Sequence, residues 1–266
     1  MKTAPLYLCC IYLLTSSTVL ADENYNFGIV PQQVTSKLIK IWQPLLQHIS
    51  IKTGVKLNFA TGNNIPAFER NLENELYDFS YMNPYHYVKY EKLSHYRAFA
   101  KEANKKIQGI IVIRKNDPIK NLQFLSLKKV SFPSPKAFAA TLLTQAELIK
   151  KNIKVMPIYV GSHDSVYFHV IQGNYLAGGG VPRTLNALQP EIRKQLKIIY
   201  TTNGYTPHAF TAHSRVPKNI VDKVRVALEQ LSFSNEGRLL LNKLNFKKLQ
   251  SANDSDWNDV RRLNLK

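Results

Sequence analysis

An α/β fold of two lobes is predicted, and three observations predict it. Strand-like runs alternate with helical patterns from Asn26 to Ala212. The alternation restarts after Asp117-Pro118 as a second series. Residues with helix-capping chemistry stand at several strand-to-helix junctions, where open α/β sheets bind their ligands.

The elements follow in order. Asn26 to Val30 reads as the first strand, left through Pro31-Gln32-Gln33. From Ser36, Leu38, Ile41/Trp42, Leu45/Leu46 and Ile49 recur at helical spacing, and Pro44 within them predicts a kink or two short helices. Gly54 ends that segment and Val55 to Phe59 is a second strand. Asn64-Ile65-Pro66 caps a helix carrying Phe68 and Leu72. Asp78 to Met82 is an aromatic strand, and Asn83-Pro84 pairs a favoured N-cap with the first helical position, where a missing N–H costs nothing. Tyr85, His86 and Tyr87 then lie in the first turn, beside N–H groups that suit an anion. Residues 107–114 form a strand almost without polar interruption, as in a sheet buried on both faces.

In the second series, Lys129 to Phe132 is a strand, and Ser134-Pro135 repeats the N-cap and first-position pair ahead of a helix from Lys136 to about Lys151. Val155 to Val160 is a strand, and Gly161-Ser162-His163-Asp164 leads into a helix that stops at Gly173. Gly178-Gly179-Gly180 permits a tight turn or a close backbone approach, followed by a turn through Pro182-Arg183. Leu196 to Thr201 is a strand, Gly204 to Pro207 a connector, and His208 to Ala212 the last strand. Helices near 217–232 and 234–244 and an irregular tail complete the chain. The domain reading is a leader at 1–21, a first lobe at 22–114 and 204–266, and a second lobe at 115–203, with crossings near 114–118 and 202–207 and a largely parallel sheet.

Residues 1–21 have the form of a secretory signal, with Lys2, the apolar Leu6 to Leu14 and a small-residue cleavage site at Val19-Leu20-Ala21. Cleavage after Ala21 and a soluble exported protein are expected. Both cysteines, Cys9 and Cys10, fall in this leader, so the mature chain has no disulfide and no thiolate chemistry. The 36 Lys and Arg against 18 Asp and Glu give a formal charge of +18. The basic doublets, from Lys105-Lys106 to Arg261-Arg262, are scattered rather than gathered in one run. With an export signal this argues for solvated faces or steering of anions, and against a nucleic-acid partner.

Catalytic constellations are absent. His163 and Asp164 are sequence neighbours, which do not face each other on a helix, so Asp164 is poorly placed to make His163 a base. The glycine triplet lacks the Lys-Ser/Thr of a phosphate loop, and the 7 histidines show no metal-ligand spacing. No metal and no cofactor are implied, and the chain reads as a binding protein rather than an enzyme. The five junctions at 30–33, 81–86, 132–138, 160–164 and 177–183 predict a cleft between the lobes for a small polar or anionic ligand, lined with backbone donors, Tyr, His and Ser.

Four stretches carry a resemblance. Phe27 to Gln33, Tyr77 to Tyr87, Gly161 to Tyr167 and Gly204 to Ala209 resemble, in order over nearly the whole mature chain, the phosphate/phosphite/phosphonate-binding proteins of ABC importers. The resemblance implies a type II periplasmic binding protein, a monomer whose two lobes close on a small molecule and deliver it to an inner-membrane permease. It carries His163 and Tyr85 into the ligand site. Tyr81, Asn83, His86, Ser134, Ser162, Asp164, Gly179 and Arg183 join them by position. In phosphonate binders of this kind a Ser-Thr-Ser run at a helix N-terminus holds the phosphonate oxygens, and here that run is Ala137-Phe138-Ala139. The loss of three hydroxyls points toward an organic anion with an apolar part. A periplasmic sensor feeding a membrane receptor kinase, and a binder of a non-phosphorus ligand on the same scaffold, are the alternative readings.

Overall fold

The computed structural model describes residues 24–265. The leader and its cleavage site therefore lie outside the described residues. The strands are β1 (Asn24–Ile29), β2 (Lys56–Thr61), β3 (Phe79–Met82), β4 (Tyr96–Glu102), β5 (Ile110–Arg114), β6 (Lys129–Phe132), β7 (Met156–Tyr159), β8 (Ala177–Gly180), β9 (Leu196–Thr201), β10 (Ala209–His213) and β11 (Leu249–Ser251). The helices are α1 (Thr35–Thr53), α2 (Ile65–Glu73), α3 (Pro84–Leu93), α4 (Thr144–Lys150), α5 (His163–Ile171), α6 (Pro182–Asn186), α7 (Pro190–Arg193), α8 (Lys218–Gln230), α9 (Asn235–Lys243) and α10 (Asn258–Arg261).

Two sheets form, one per lobe. The first has the order β11-β4-β10-β3-β1-β2 and the second β7-β6-β8-β5-β9. The alternation predicts a largely parallel sheet, and neither sheet is one. β1 lies parallel to β2 and β3, but β10 runs antiparallel to β3 and β4, and β5 runs antiparallel to β8 and β9. β5 and β10 are the first strands after the chain changes lobes, so each enters its sheet against the parallel set.

The first crossing lies earlier than 114–118. β5 belongs to the second sheet, paired on both sides, so the chain has left the first lobe before Ile110. Asp117 instead follows β5 within the second lobe and holds Arg114 at 3.0 Å. The two connecting segments meet as a short ribbon, with Ile107 and Tyr205 exchanging amide–carbonyl bonds of 2.7 and 3.0 Å. That pairing ties both crossings into one hinge.

The buried run of β5 behaves as its sequence predicts. Ile110 and Val112 pack with Val166, Tyr167 and Val170 of α5, while Ile111 and Ile113 pack on the other face with Phe132 and Leu148. The first lobe is organised by aromatic residues. Phe27 stacks on Phe79 at 5.7 Å, and Tyr81 contacts Trp42 of α1 at 4.8 Å and Phe210 of β10 at 4.9 Å.

Other local expectations are corrected. α1 runs as one 19-residue helix through Pro44, not as two. The carbonyl that Pro44 cannot bond belongs to Lys40, which is exposed and can use water. The 138–143 segment is a π-helix whose N-cap position is Ala137, so Ser134-Pro135 does not start it. The Ser134 carbonyl accepts from the Thr141 hydroxyl at 2.8 Å, and the buried Ser134 hydroxyl has no partner among the described residues. Gly178-Gly179-Gly180 is strand β8 rather than a turn, and Arg183 lies in the short helix α6. Two strands went unread. β4 carries Arg97, Lys101 and Glu102 among its apolar residues, and β11 makes His208 to Ala212 no longer the last strand.

Candidate functional site

Carboxyl ends of the strands in both sheets converge on the cleft. From the first lobe come Gln32 beyond β1, Tyr81 and Asn83 at the end of β3, and His208 just before β10. From the second come residues 137–140 at the π-helix start, His163 at the first position of α5, and Val181 to Arg183 beyond β8.

Local chemistry fixes several of these side chains. Asn83 caps α3, its Oδ1 accepting from the His86 amide at 2.8 Å, as the Asn-Pro pair predicts. Its Nδ2 reaches across the cleft to the Lys136 carbonyl at 3.2 Å. Ser162 caps α5, accepting from the Ser165 amide at 3.1 Å. The His163 amide, which a helix N-terminus would offer to a ligand, donates to the Gln32 carbonyl of the first lobe at 3.1 Å. Gln32 thus supplies the partial negative charge that the helix end attracts.

Further bonds join the lobes. Arg183 donates to the Tyr81 hydroxyl at 2.5 Å and to Gln32 Oε1 at 2.6 Å. Lys136 pairs with Glu69 at 3.3 Å, and Lys37 lies 3.8 Å from Asp164. Phe138 is fully buried, its ring edge to face with Tyr205 at 6.1 Å. Between Asn83, residues 137–140, His163 and His208 the remaining cavity is only about 10 Å³, room for about one water.

Burial sets the protonation states. His163 is 2% exposed, and desolvation, reinforced by the Arg183 charge, pushes its pKa down to about 3. Desolvation, with Arg183, His86 and His163 adding, also lowers the pKa of His208 well below the usual value. Both imidazoles are therefore neutral at physiological pH. Burial pushes the Tyr81 phenol up to about 12 against the opposing pull of Arg183. Desolvation likewise raises the Asp164 carboxyl, with Lys37 the main opposing charge.

Of the residues expected at the site, Asn83, Ala137, Phe138, Ala139 and His163 meet at the small cavity. Tyr81 and Arg183 line the larger spaces beside it. The others sit elsewhere. Tyr85 faces a groove with Lys89 and Arg261. His86 is completely buried, its Nε2 against Glu69 at 3.0 Å and Asn83 at 3.2 Å, and its Nδ1 has no hydrogen-bond partner among the described residues. Ser134, Ser162 and Asp164 line none of the three cleft cavities, and neither does Gly179. A β-carbon on Gly179 would lie 2.2 Å from the Ala140 carbonyl oxygen, so its place is set by close packing. Gln32 and His208 were not singled out as site residues. His208 stacks on Tyr81 at 4.9 Å and 14°, its Nε2 buried without a partner among the described residues. Both belong to stretches that carry the family resemblance, but nothing local marks either as lining a cleft.

Comparison with known proteins follows this geometry. The family model for the "ABC transporter, phosphonate, periplasmic substrate-binding protein" matches residues 27–257. The phosphate-import protein PhnD of Mycolicibacterium smegmatis is 23% identical, over 86% of this chain and 83% of its own. Among solved structures, a binding-protein component of an ABC phosphonate transporter from Pseudomonas aeruginosa superposes with a TM-score of 0.84 at 17% identity, covering 92% of this chain and 86% of that one. PhnD1 of Prochlorococcus marinus, solved with methylphosphonate, gives 0.83 at 16% identity, covering 92% and 99%. These similarities establish the two-lobed architecture of type II periplasmic binding proteins.

Proposed function

Because the chain belongs to the family of phosphonate ABC-transporter periplasmic substrate-binding proteins, we propose that it captures a small anionic ligand between its lobes and presents it to an inner-membrane permease. Family members act in the periplasm as transport-binding proteins rather than enzymes, and the leader at 1–21, cleaved after Ala21, would direct export.

One observation carries the reading. Arg183, Gln32, Tyr81 and the two neutral imidazoles are drawn from both lobes onto a single cleft, beside a hinge that ties the two crossings together. Neutral imidazoles can each offer one N–H donor and one acceptor without carrying charge. No hydroxyl run marks the 137–139 helix start, so the ligand class within the family is open to an organic phosphonate or a carboxylate as well as to phosphate.

The test is thermal unfolding of the purified 22–266 chain against phosphate, phosphite, alkyl- and aminoalkylphosphonates, sulfate and carboxylates. An anion at a hundred times its dissociation constant is expected to add about 2.7 kcal/mol and raise the midpoint by several degrees. A midpoint unmoved by the whole panel at millimolar concentration contradicts anion capture.

A further inference from the structure

Space in the cleft is unevenly divided. At the 137–140 helix start the cavity is about 10 Å³, whereas beside it one of about 360 Å³ opens between the β4–β5 connection, α6 and the turn after α9. The larger volume is in the range of small-molecule sites, with room for an organic ligand.

Three features of its wall point to an anion. The Arg183 guanidinium lies 5.3 Å over the Phe246 ring, and its bonds to Tyr81 and Gln32 are to neutral acceptors. Among the described residues it forms no ion pair with a carboxylate, and those two bonds take two of its five N–H donors. His208 is 2% exposed and lines both cavities, with Nε2 lacking any partner among the described residues. Lys105 and Lys247 complete a basic rim beside Glu102, itself 9% exposed, while Lys106 is already paired with Asp259 at 3.1 Å. Burial raises the Glu102 carboxyl, while Arg183, Lys105 and Lys247 pull the other way.

We propose that the ligand is an organic anion with an apolar body, its charged group held by Arg183 and His208 and its body in the space lined by Ile107, Val181 and Pro207, outside the position in front of Phe138. The assignment rests on the capture reading above and deepens it. Free phosphate would fill little of this space. A planar or apolar substituent excludes water there and strengthens the charge-assisted bonds to Arg183.

The experiment is calorimetric titration of the mature chain with inorganic phosphate, methylphosphonate, phenylphosphonate and 3-phenylpropionate, repeated on variants. At least one aryl probe is expected to bind at least tenfold more tightly than phosphate or methylphosphonate. Arg183→Gln should weaken it tenfold or more, and Asn186→Trp, which fills the cavity from α6, should abolish it. Glu102→Gln should tighten it severalfold by removing the opposing charge. Tyr81→Phe breaks one lobe-joining bond and keeps the guanidinium, so it should weaken binding less than Arg183→Gln. Equal losses in Tyr81→Phe and Arg183→Gln, with no gain in Glu102→Gln, would make Arg183 a clasp and overturn the proposal. So would wild-type affinity in Asn186→Trp, or phosphate binding as tightly as the aryl probes. If a different panel ligand binds instead, the same variants decide with that ligand. A chain that binds nothing in the panel overturns the capture reading, and this one with it.

Discussion

Lowering the pH from 7 to 5 is expected to remove about 2 kcal/mol of folding stability through His163 alone, with His208 adding in the same direction. An unfolded histidine takes up its proton near pH 6.5. In the fold His163 resists until about pH 3, and His208 is displaced in the same direction. Between those limits the unfolded chain binds protons that the native chain refuses, so stability rises with pH and falls as pH drops below 6.5. For His163 the slope is about 1.4 kcal/mol per pH unit, or roughly 2 kcal/mol by pH 5. Against a typical total of about 5–15 kcal/mol this is large. His86 adds in the same direction through desolvation, which Glu69 opposes. Glu102 and Asp164 act oppositely, since burial raises their pKa values and the native state takes up their protons first as the solution is acidified. Urea unfolding at pH 7.5, 6 and 5 measures the sum, and His163→Gln should reduce the pH slope by close to one proton. A urea midpoint that stays level over this range contradicts neutral burial of these rings.

Gly179→Ala is expected to destabilise the fold by about 3 kcal/mol, at the upper end of ordinary overpacking. The added β-carbon would meet the Ala140 carbonyl oxygen at 2.2 Å and the Phe132 ring at 2.5 Å. The first of these is backbone and cannot swing aside, so either β8 or the 138–143 helix must shift. Gly54→Ala is the comparison. Gly54 has nothing within 4 Å of an added β-carbon but a φ of 70°, so its cost is conformational and about 1 kcal/mol. Denaturant midpoints of the two variants separate crowding from backbone strain. Equal, small losses would show that β8 and the π-helix are not packed as described.

Much of the fold was legible because its signals are local or periodic. Asn83-Pro84 starts α3 because both residues act within one turn, and β5 reads as buried because both its faces are apolar. The five junctions placed the cleft correctly between lobes, since strand ends and caps are written in neighbouring residues. What failed depends on partners distant in sequence. Ser134-Pro135 has the same form as Asn83-Pro84, yet the Thr141 hydroxyl engages the Ser134 carbonyl and the helix begins at Phe138. The glycine triplet looks like a turn until Ala140, Val166 and Tyr167 are seen pressed against it. The strand β4 is interrupted by charges that tertiary pairs satisfy, such as Lys101 with Asp256 at 2.7 Å. Cap chemistry identifies Asn83 at the site and Ser162 as the start of α5, but it carries no sign that Gln32 takes the His163 amide or that Tyr85 faces away. His208 is aimed by its stack on Tyr81, a contact no pattern within either strand encodes.

Hydrogen exchange of the mature chain, with and without the anion that gives the largest thermal shift, tests capture between the lobes most directly. Slowed exchange is predicted in segments of both lobes at once, at 28–33 and 79–86 in the first and at 162–166 and 181–186 in the second. Protection confined to one lobe at saturating ligand, or none at all, would contradict it.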